Sequence, residues 1–428
     1  MYNVIIFKDA SKGYEDHEPV IMQGHMDMVC EKNKDCDYDF DNDPLDLYVE
    51  NHYLHARGTT LGADDGCGVC YMLALLSDEN LQHPPLECIF TVQEEVGLCG
   101  AFGLDVSSLK GKRMIGLDSE TEGETCTSSS GGNDLMITKQ VEFVENDSPV
   151  YVLDIKGLLG GHSGECINKS RGNANKIAAR ILYHLLKDGI DIRLVNIHGG
   201  LKNNAIPREC QVIFASNVNY GIISNHIITY ALDIKNELSI SDPNLKVTLK
   251  KGEAKHCINS IDSEAIINVM YLVPNGKLDE SQTIPGLTTL SLNMGIVRTH
   301  DNNVTIDISI RAPLESARNE LCLQIEQISF LYDSYIEVSN PYPGWDYDPH
   351  SQLREAFKEY YFKSTGNILK EVATHGGLET GVWADKIPGI DIITFGPNMS
   401  GIHTPDETLD LDSYQRCYDI LYGFIETL

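Results

Sequence analysis

From its start to about residue 130 the chain alternates short apolar runs with a helical stretch, and from about residue 345 it does so again. The early strand candidates are Asn3–Lys8, Pro19–Gln23, Leu47–Leu54, Glu87–Val92 and Arg113–Leu117. A helix candidate, Gly66–Ser77, carries Val69, Met72, Leu73 and Leu76 on one stripe. The late segment offers a helix at Pro349–Lys363, a strand at Asp391–Phe395 and a closing helix at about Asp412–Glu426. Strands separated by helices can return in the same direction, so the pattern predicts an α/β fold with a central, mostly parallel sheet.

The middle of the chain follows another rule. Strand candidates at Tyr151–Lys156, Asp191–Ile197, Gln211–Val218, Lys246–Lys250, Thr288–Arg298 and Asn303–Arg311 are interleaved with helix candidates. The helices fall at about Ser170–Lys187, Gly221–Leu238, Ser263–Leu272 and Pro313–Leu331. This reads as an α+β insert over 134–342 that interrupts a discontinuous first domain, 1–133 with 343–428. At 428 residues the chain is long enough for two such domains.

Charge narrows the partners. Lys and Arg total 33 against 63 Asp and Glu, a net charge of -30, which excludes the basic footprint of a nucleic-acid or anionic-membrane binder. No apolar run approaches the roughly 20 residues that span a bilayer. The start, Met1 to Lys8, lacks the basic lead and long apolar core of a signal peptide, so a cytoplasmic protein is expected. The 12 cysteines are then expected as free thiols. The Cys67-x-x-Cys70 pair has no second pair at zinc-ribbon spacing and reads as small apolar residues on a buried helix.

Five segments hold acids and histidines, four of them just after a strand candidate. In Gln23-Gly24-His25-Met26-Asp27, residues two apart on an extended chain face the same way, so Asp27 can hold the His25 imidazole. Gly62-Ala63-Asp64-Asp65-Gly66 precedes a helix; Asp64 there is either an N-cap or a ligand whose glycine neighbours admit close backbone approach. Gln93-Glu94-Glu95 ends an apolar run, and neighbours on a strand point apart, so one glutamate can bind metal while the other acts as a base. Leu117-Asp118 follows another strand, and His403 lies in a loop after a late one. Singly, each motif is also what a surface ion pair, a cap or an acidic loop would give. In open α/β sheets, however, ligands bind beyond the carboxyl ends of the strands. Imidazoles and carboxylates gathered there, without cysteine, are the donor set of a hydrolytic zinc site.

The motifs GHMDMV, GADDG, QEEVG, LDSE and GIHTPDE, in this order, resemble the zinc aminopeptidase, carboxypeptidase and aminoacylase family. QGHMDMVCEK, TLGADDG and GLLGGHSGE are more narrowly similar to its aminoacyl-histidine (β-alanyl-histidine) dipeptidases. The resemblance covers essentially the whole chain. It implies a zinc-peptidase catalytic domain interrupted by a lid and dimerisation domain, with two Zn2+ per chain for which Co2+ or Mn2+ can substitute. His25, Asp64 and Asp118 would hold one ion. Asp64, Glu95 and His403 would hold the other, with Asp64 bridging. Glu94 matches the general base and Asp27 the acid that orients the first histidine.

In the insert, His162 matches a histidine that polarises the scissile carbonyl, while Asn204 and Arg311 match positions that grip the substrate's polar ends. The implied activity is hydrolysis of Xaa-His dipeptides. The alternatives are a tripeptidase, a carboxypeptidase or an N-acyl amino acid hydrolase, and, more remotely, a non-catalytic peptide-binding module. The partner is a small peptide, with a homodimer through the lid domain as a possible assembly. Two departures stand out. The family has a further segment of several tens of residues before the first strand, so this chain reads as a shortened version or an alternative start. Gln93 stands where relatives often carry an acid.

Overall fold

A computed structural model describes residues 2–428. The chain forms two compact units, one of residues 1–129, 344–373 and 378–428, the other of residues 130–343 and 374–377. The sequence placed the insert at 134–342 and did not anticipate that Thr374–Gly377 belongs with it.

The first unit is built on a five-stranded sheet. Its order is Val4–Lys8, Leu86–Thr91, Val20–His25, Arg113–Gly116 and Asp391–Thr394. The first pair is antiparallel and the other neighbours run parallel. Alternation along each strand divides the core between two faces. Val20, Met22, Cys88, Phe90, Ile115 and Ile393 pack beneath the helices Ala63–Ser77, Gln352–Thr365 and Leu411–Ile425. Ile21, Ile89, Met114 and Ile392 pack on the opposite face with Trp383 and Val382 of the helix Glu379–Lys386. His25, Thr91, Gly116 and Thr394 end their parallel strands at one edge.

Three local expectations are corrected. Leu47–Leu54 is not one strand but a hairpin, Leu47–Glu50 and Tyr53–Ala56, turned by Asn51 and His52 at φ 50° and 70°. On the helix Ala63–Ser77 the inward face carries Tyr71, Met72 and Leu75, whereas Leu73 is half exposed. Cys67 is buried but Cys70 is exposed, so the pair is not wholly an apolar filling.

The second unit carries an antiparallel sheet of nine strands. Eight lie in the order Lys246–Gly252, Val150–Lys156, Cys210–Ala215, Arg193–Gly199, Thr288–His300, Asn303–Ala312, Gly131–Gln140 and Tyr335–Tyr342; Gly276–Glu280 joins beside Thr288–His300. Ala174–Lys187, Tyr220–Glu237, Ser260–Leu272 and Glu315–Leu331 cover it and bury Ile181, Leu182, Ile227, Ile267 and Ile325 in a common core. Among the described residues no helix is long and apolar enough to cross a membrane.

Candidate metal centre

The parallel strands of the first unit deliver their acids and histidines to one edge. His25 is the last residue of its strand; Glu94 and Glu95 follow Thr91 by three and four residues, and Asp118 follows Gly116 by two. His25 Nδ1 lies 2.9 Å from the Asp27 carbonyl oxygen. A carbonyl only accepts, so Nδ1 carries the hydrogen and Nε2 faces the site. Nε2 lies 3.0 Å from Asp64 Oδ1. The other Asp64 oxygen, Oδ2, is 3.1 Å from His403 Nε2, which is also 3.0 Å from Glu95 Oε1. The two oxygens of Asp64 thus serve two different histidines.

Donor atoms fall within 4.8 Å of one another in three groups: His25, Asp64 and Asp118; Asp64, Glu95 and His403; and His25, Glu94 and Glu95. Electrostatics fits the geometry. Burial opposes a charge on His25, yet its bond to Asp64 and the charges of Asp118, Asp65 and Asp64 hold its pKa above the usual imidazole range. Burial likewise opposes a charge on His403, and Glu95 and Asp64 raise its pKa all the same. Burial pushes Asp118 up, and Asp64 and Asp65 add to it. Burial, Glu95 and Asp64 push Glu94 up to about 7 against the opposing charge of His25. A pocket of oxygen donors and imidazoles with this much unbalanced negative charge is chemically suited to divalent cations.

The carboxylate of Asp27 has a second task. It lies 3.6 Å from His25 Nδ1, farther than its own carbonyl, and it accepts from the N–H groups of Glu94 and Glu95 at 3.1 and 3.2 Å. Those glutamates sit in a turn past the strand end, where the N–H groups of Gly97 and Leu98 bond back to the Glu94 carbonyl. The two glutamates therefore lie in a turn and not on the strand, so the strand alternation expected from the sequence does not orient them.

Asp64 is not an N-cap. The helix cap is Gly62, in the left-handed region and without a side-chain capping bond. The N–H groups of the turn that leads into that helix are taken by Glu407, which the sequence reading passed over. Its buried carboxylate accepts from Leu61, Gly62, Ala63 and Asp64 at 2.7, 3.0, 2.8 and 3.4 Å, a favourable place for an anion. The only cue in the sequence was its position at the end of GIHTPDE.

Asp65, also unassigned from sequence, is fully buried. It accepts from His25 N–H at 3.2 Å and Gly68 N–H at 3.1 Å. Of the glycines flanking the Asp64-Asp65 pair, Gly62 is packed against Met28, where a Cβ would stand 2.9 Å from Sδ, and Gly66 has open space around it. Gly24 and Gly68 pack on Asp65 itself: a Cβ would stand 2.3 and 2.7 Å from its oxygens. Gly24→Ala is expected to cost about 1–3 kcal/mol by overpacking, read from the urea midpoint; an unchanged midpoint would mean that Asp65 is free to move.

Glu379 is the third acid missed. It is buried, and its Oε2 accepts from Gln23 Nε2 at 2.5 Å and Thr91 Oγ1 at 2.8 Å, which ties the strand of His25 to the strand that leads to Glu94.

The remaining residues singled out from sequence, His162, Asn204 and Arg311, belong to the second unit. His162 pairs with Ala205 in a two-residue ladder, and Ser163 N–H donates to the Asn204 carbonyl at 2.8 Å. Arg311 Nε lies 3.4 Å from Ser163 Oγ, so the three positions are linked within that unit. Burial and then the Arg311 charge lower the His162 pKa.

Comparison with known proteins agrees with this chemistry. The pattern of peptidase family M20/M25/M40 matches residues 21–427. The cytosol non-specific dipeptidase of Escherichia coli is 36% identical over 433 residues, covering 100% of this chain and 88% of that protein. The crystal structure of an aminoacylhistidine dipeptidase from Vibrio alginolyticus superposes with a TM-score of 0.94 at 34% identity, covering 100% of this chain and 88% of the other. The aminopeptidase PepT of Bacillus cereus shares the fold at 16% identity, with a TM-score of 0.54 over 99% of this chain and 84% of its own.

Proposed function

This chain belongs to peptidase family M20/M25/M40, and on that premise we propose that it hydrolyses Xaa-His dipeptides of the β-alanyl-histidine type with two zinc ions. That it is a metal-dependent dipeptidase follows from the family and from relatives at 34–36% identity. The observation that supports the two-ion reading is the division of the Asp64 oxygens between His25 and His403. His25, Asp64 and Asp118 would hold one ion and Asp64, Glu95 and His403 the other. When bound, the ions supply Lewis acidity that makes water more acidic and a carbonyl more electrophilic.

The chain's own groups do the rest. Glu94 takes a proton from the attacking water as its oxygen bonds to the carbonyl carbon. It returns that proton to the leaving amine as the C–N bond breaks. Asp27 fixes Glu94 through the turn N–H groups and presents the free face of His25. In the second unit, to which we assign the lid role, His162 is neutral and donates an N–H to the oxygen on which charge develops. Arg311 takes the substrate carboxylate through a charge-assisted contact, and Asn204 takes another polar end. Action in the cytoplasm, and pairing of two copies through the second unit, belong to the same proposal.

The test is a panel of dipeptides, tripeptides and N-acyl amino acids assayed with zinc and after chelation. β-Alanyl-histidine and other Xaa-His peptides should be cleaved fastest, and chelation should abolish turnover. Faster cleavage of tripeptides or N-acyl amino acids would refute the dipeptide assignment, and turnover that survives metal removal would refute the metal mechanism.

A further inference from the structure

The Arg311 guanidinium is held by one row of residues across the sheet of the second unit. Ser291 faces Arg311 on the neighbouring strand, Arg311 faces Gly132, and Gly132 faces Tyr342. Gly132 has no side chain, and the Tyr342 ring lies over it: a Cβ there would stand 2.4 Å from the ring. The ring thus crosses the glycine and its hydroxyl meets Arg311 Nη1 at 2.8 Å. Gly377, from the short segment that rejoins this unit, closes on the ring so tightly that a Cβ would lie 2.9 Å away.

The placement of Tyr342 depends on a break in register. Ser339 pairs with Asp134 but Tyr342 pairs with Gly132, so one extra residue is inserted between them. Asn340 takes up the bulge at φ 49°, and its Nδ2 donates to Asp134 Oδ2 at 3.0 Å. In regular register Pro341 would face Gly132; the bulge puts a phenol there instead, which is how bulges re-aim side chains. At the other end of the row, Ser291 Oγ meets His375 Nε2 at 2.6 Å, and Ser130 Oγ meets Nδ1 of the same ring at 2.8 Å. The Arg311 guanidinium therefore sits in a row of polar groups that packing holds still.

We propose that Tyr342 is a positioning residue for substrate recognition: it fixes Arg311 by accepting from Nη1, and its own O–H is left to donate to the carboxylate that Arg311 binds. Among the described residues, no protein acceptor takes the Tyr342 hydroxyl hydrogen. Burial raises the phenol pKa above its usual value despite the nearby arginine, so the hydroxyl keeps its proton at neutral pH. This inference rests on the reading that Arg311 binds the substrate carboxylate.

The experiment compares β-alanyl-histidine with its C-terminal carboxamide, for the wild type, Arg311→Ala, Tyr342→Phe and the double variant. Phenylalanine keeps the ring between Gly132 and Gly377 and deletes only the hydroxyl. The wild type should prefer the free acid, and Arg311→Ala should abolish most of that preference. Tyr342→Phe should raise KM for the free acid about tenfold, more than for the carboxamide, with the loss in KM rather than kcat. Added to Arg311→Ala, it should cost little more. If Arg311→Ala abolishes the preference but Tyr342→Phe leaves it intact, or weakens both substrates equally, the role of Tyr342 is refuted while the arginine reading stands. If Arg311→Ala keeps the preference, both fall.

Discussion

Glu94→Gln is expected to lower kcat by about 100- to 10,000-fold, the usual worth of a positioned general base, while fold and metal content stay as in the wild type. Glutamine has the same shape and can still accept a hydrogen bond, but it cannot carry the proton from water to the leaving amine. The backbone will hold the new side chain in place, because the bond from the residue 94 N–H to Asp27 Oδ1 is untouched. Burial pushes the Glu94 carboxyl up to about 7, a value suited to taking a proton and giving it back near neutrality. The effect should fall on kcat and not on KM, since no substrate contact is removed. The measurement is steady-state kinetics beside metal analysis of the same preparation. A Gln variant with wild-type kcat and full metal would move the base elsewhere. Glu379 would then be the next group to test, since burial also pushes its carboxyl up to about 7 and its Oε1 has no hydrogen-bond partner.

The first unit's sheet was easy to read from the sequence because parallel strands buried on both faces are continuous apolar runs. Val20–His25 and Arg113–Gly116 lie within two residues of their expected bounds. The strand Gly131–Gln140 was not seen, since it opens on Gly-Gly-Asn-Asp, a composition that signals a turn. Its glycine is there because a tyrosine about 210 residues later needs the space, and no local pattern carries that information. The same holds for Thr374–Gly377, which leaves the first unit for four residues. Among the acids and histidines that the structure gathers into the candidate site, those at or just after strand ends could be picked out in the sequence. Glu407, Asp65 and Glu379 could not, because each acts through partners distant in sequence or through backbone N–H groups. Glu407 reaches the Asp64 loop across 343 residues of chain. The helix stripe was misread by one position, which set exposed Leu73 in place of buried Tyr71, because a helix with two buried acids at its start has no clean amphipathic period.

Asp64→Ala is expected to empty both ion sites and bring turnover below detection. Oδ1 stands 3.0 Å from His25 Nε2 and Oδ2 3.1 Å from His403 Nε2, so the carboxylate belongs to two of the three donor groups at once. Its removal leaves His25 with Asp118 in one group and Glu95 with His403 in the other, two donors each, too few for tight binding by a tetrahedral ion; the third group, His25, Glu94 and Glu95, lacks Asp64 but uses Glu94, the proposed base, as a ligand. An end ligand behaves differently: Asp118→Ala removes a donor from one group only and should lower the content of one site more than the other. Asp65 supplies the control. Its Oδ2 accepts from the His25 N–H and its Oδ1 from the Gly68 N–H, so Asp65→Asn keeps one of the two contacts, sets an NH2 against the other N–H, and leaves every three-residue donor group complete. That variant should retain its metal. Metal per chain, measured on all three variants after identical dialysis, decides the matter. Near-zero content in Asp64→Ala with full content in Asp65→Asn is the expected pattern. The reverse pattern would transfer the bridge to Asp65, and half content in Asp64→Ala would mean that one ion is held without it.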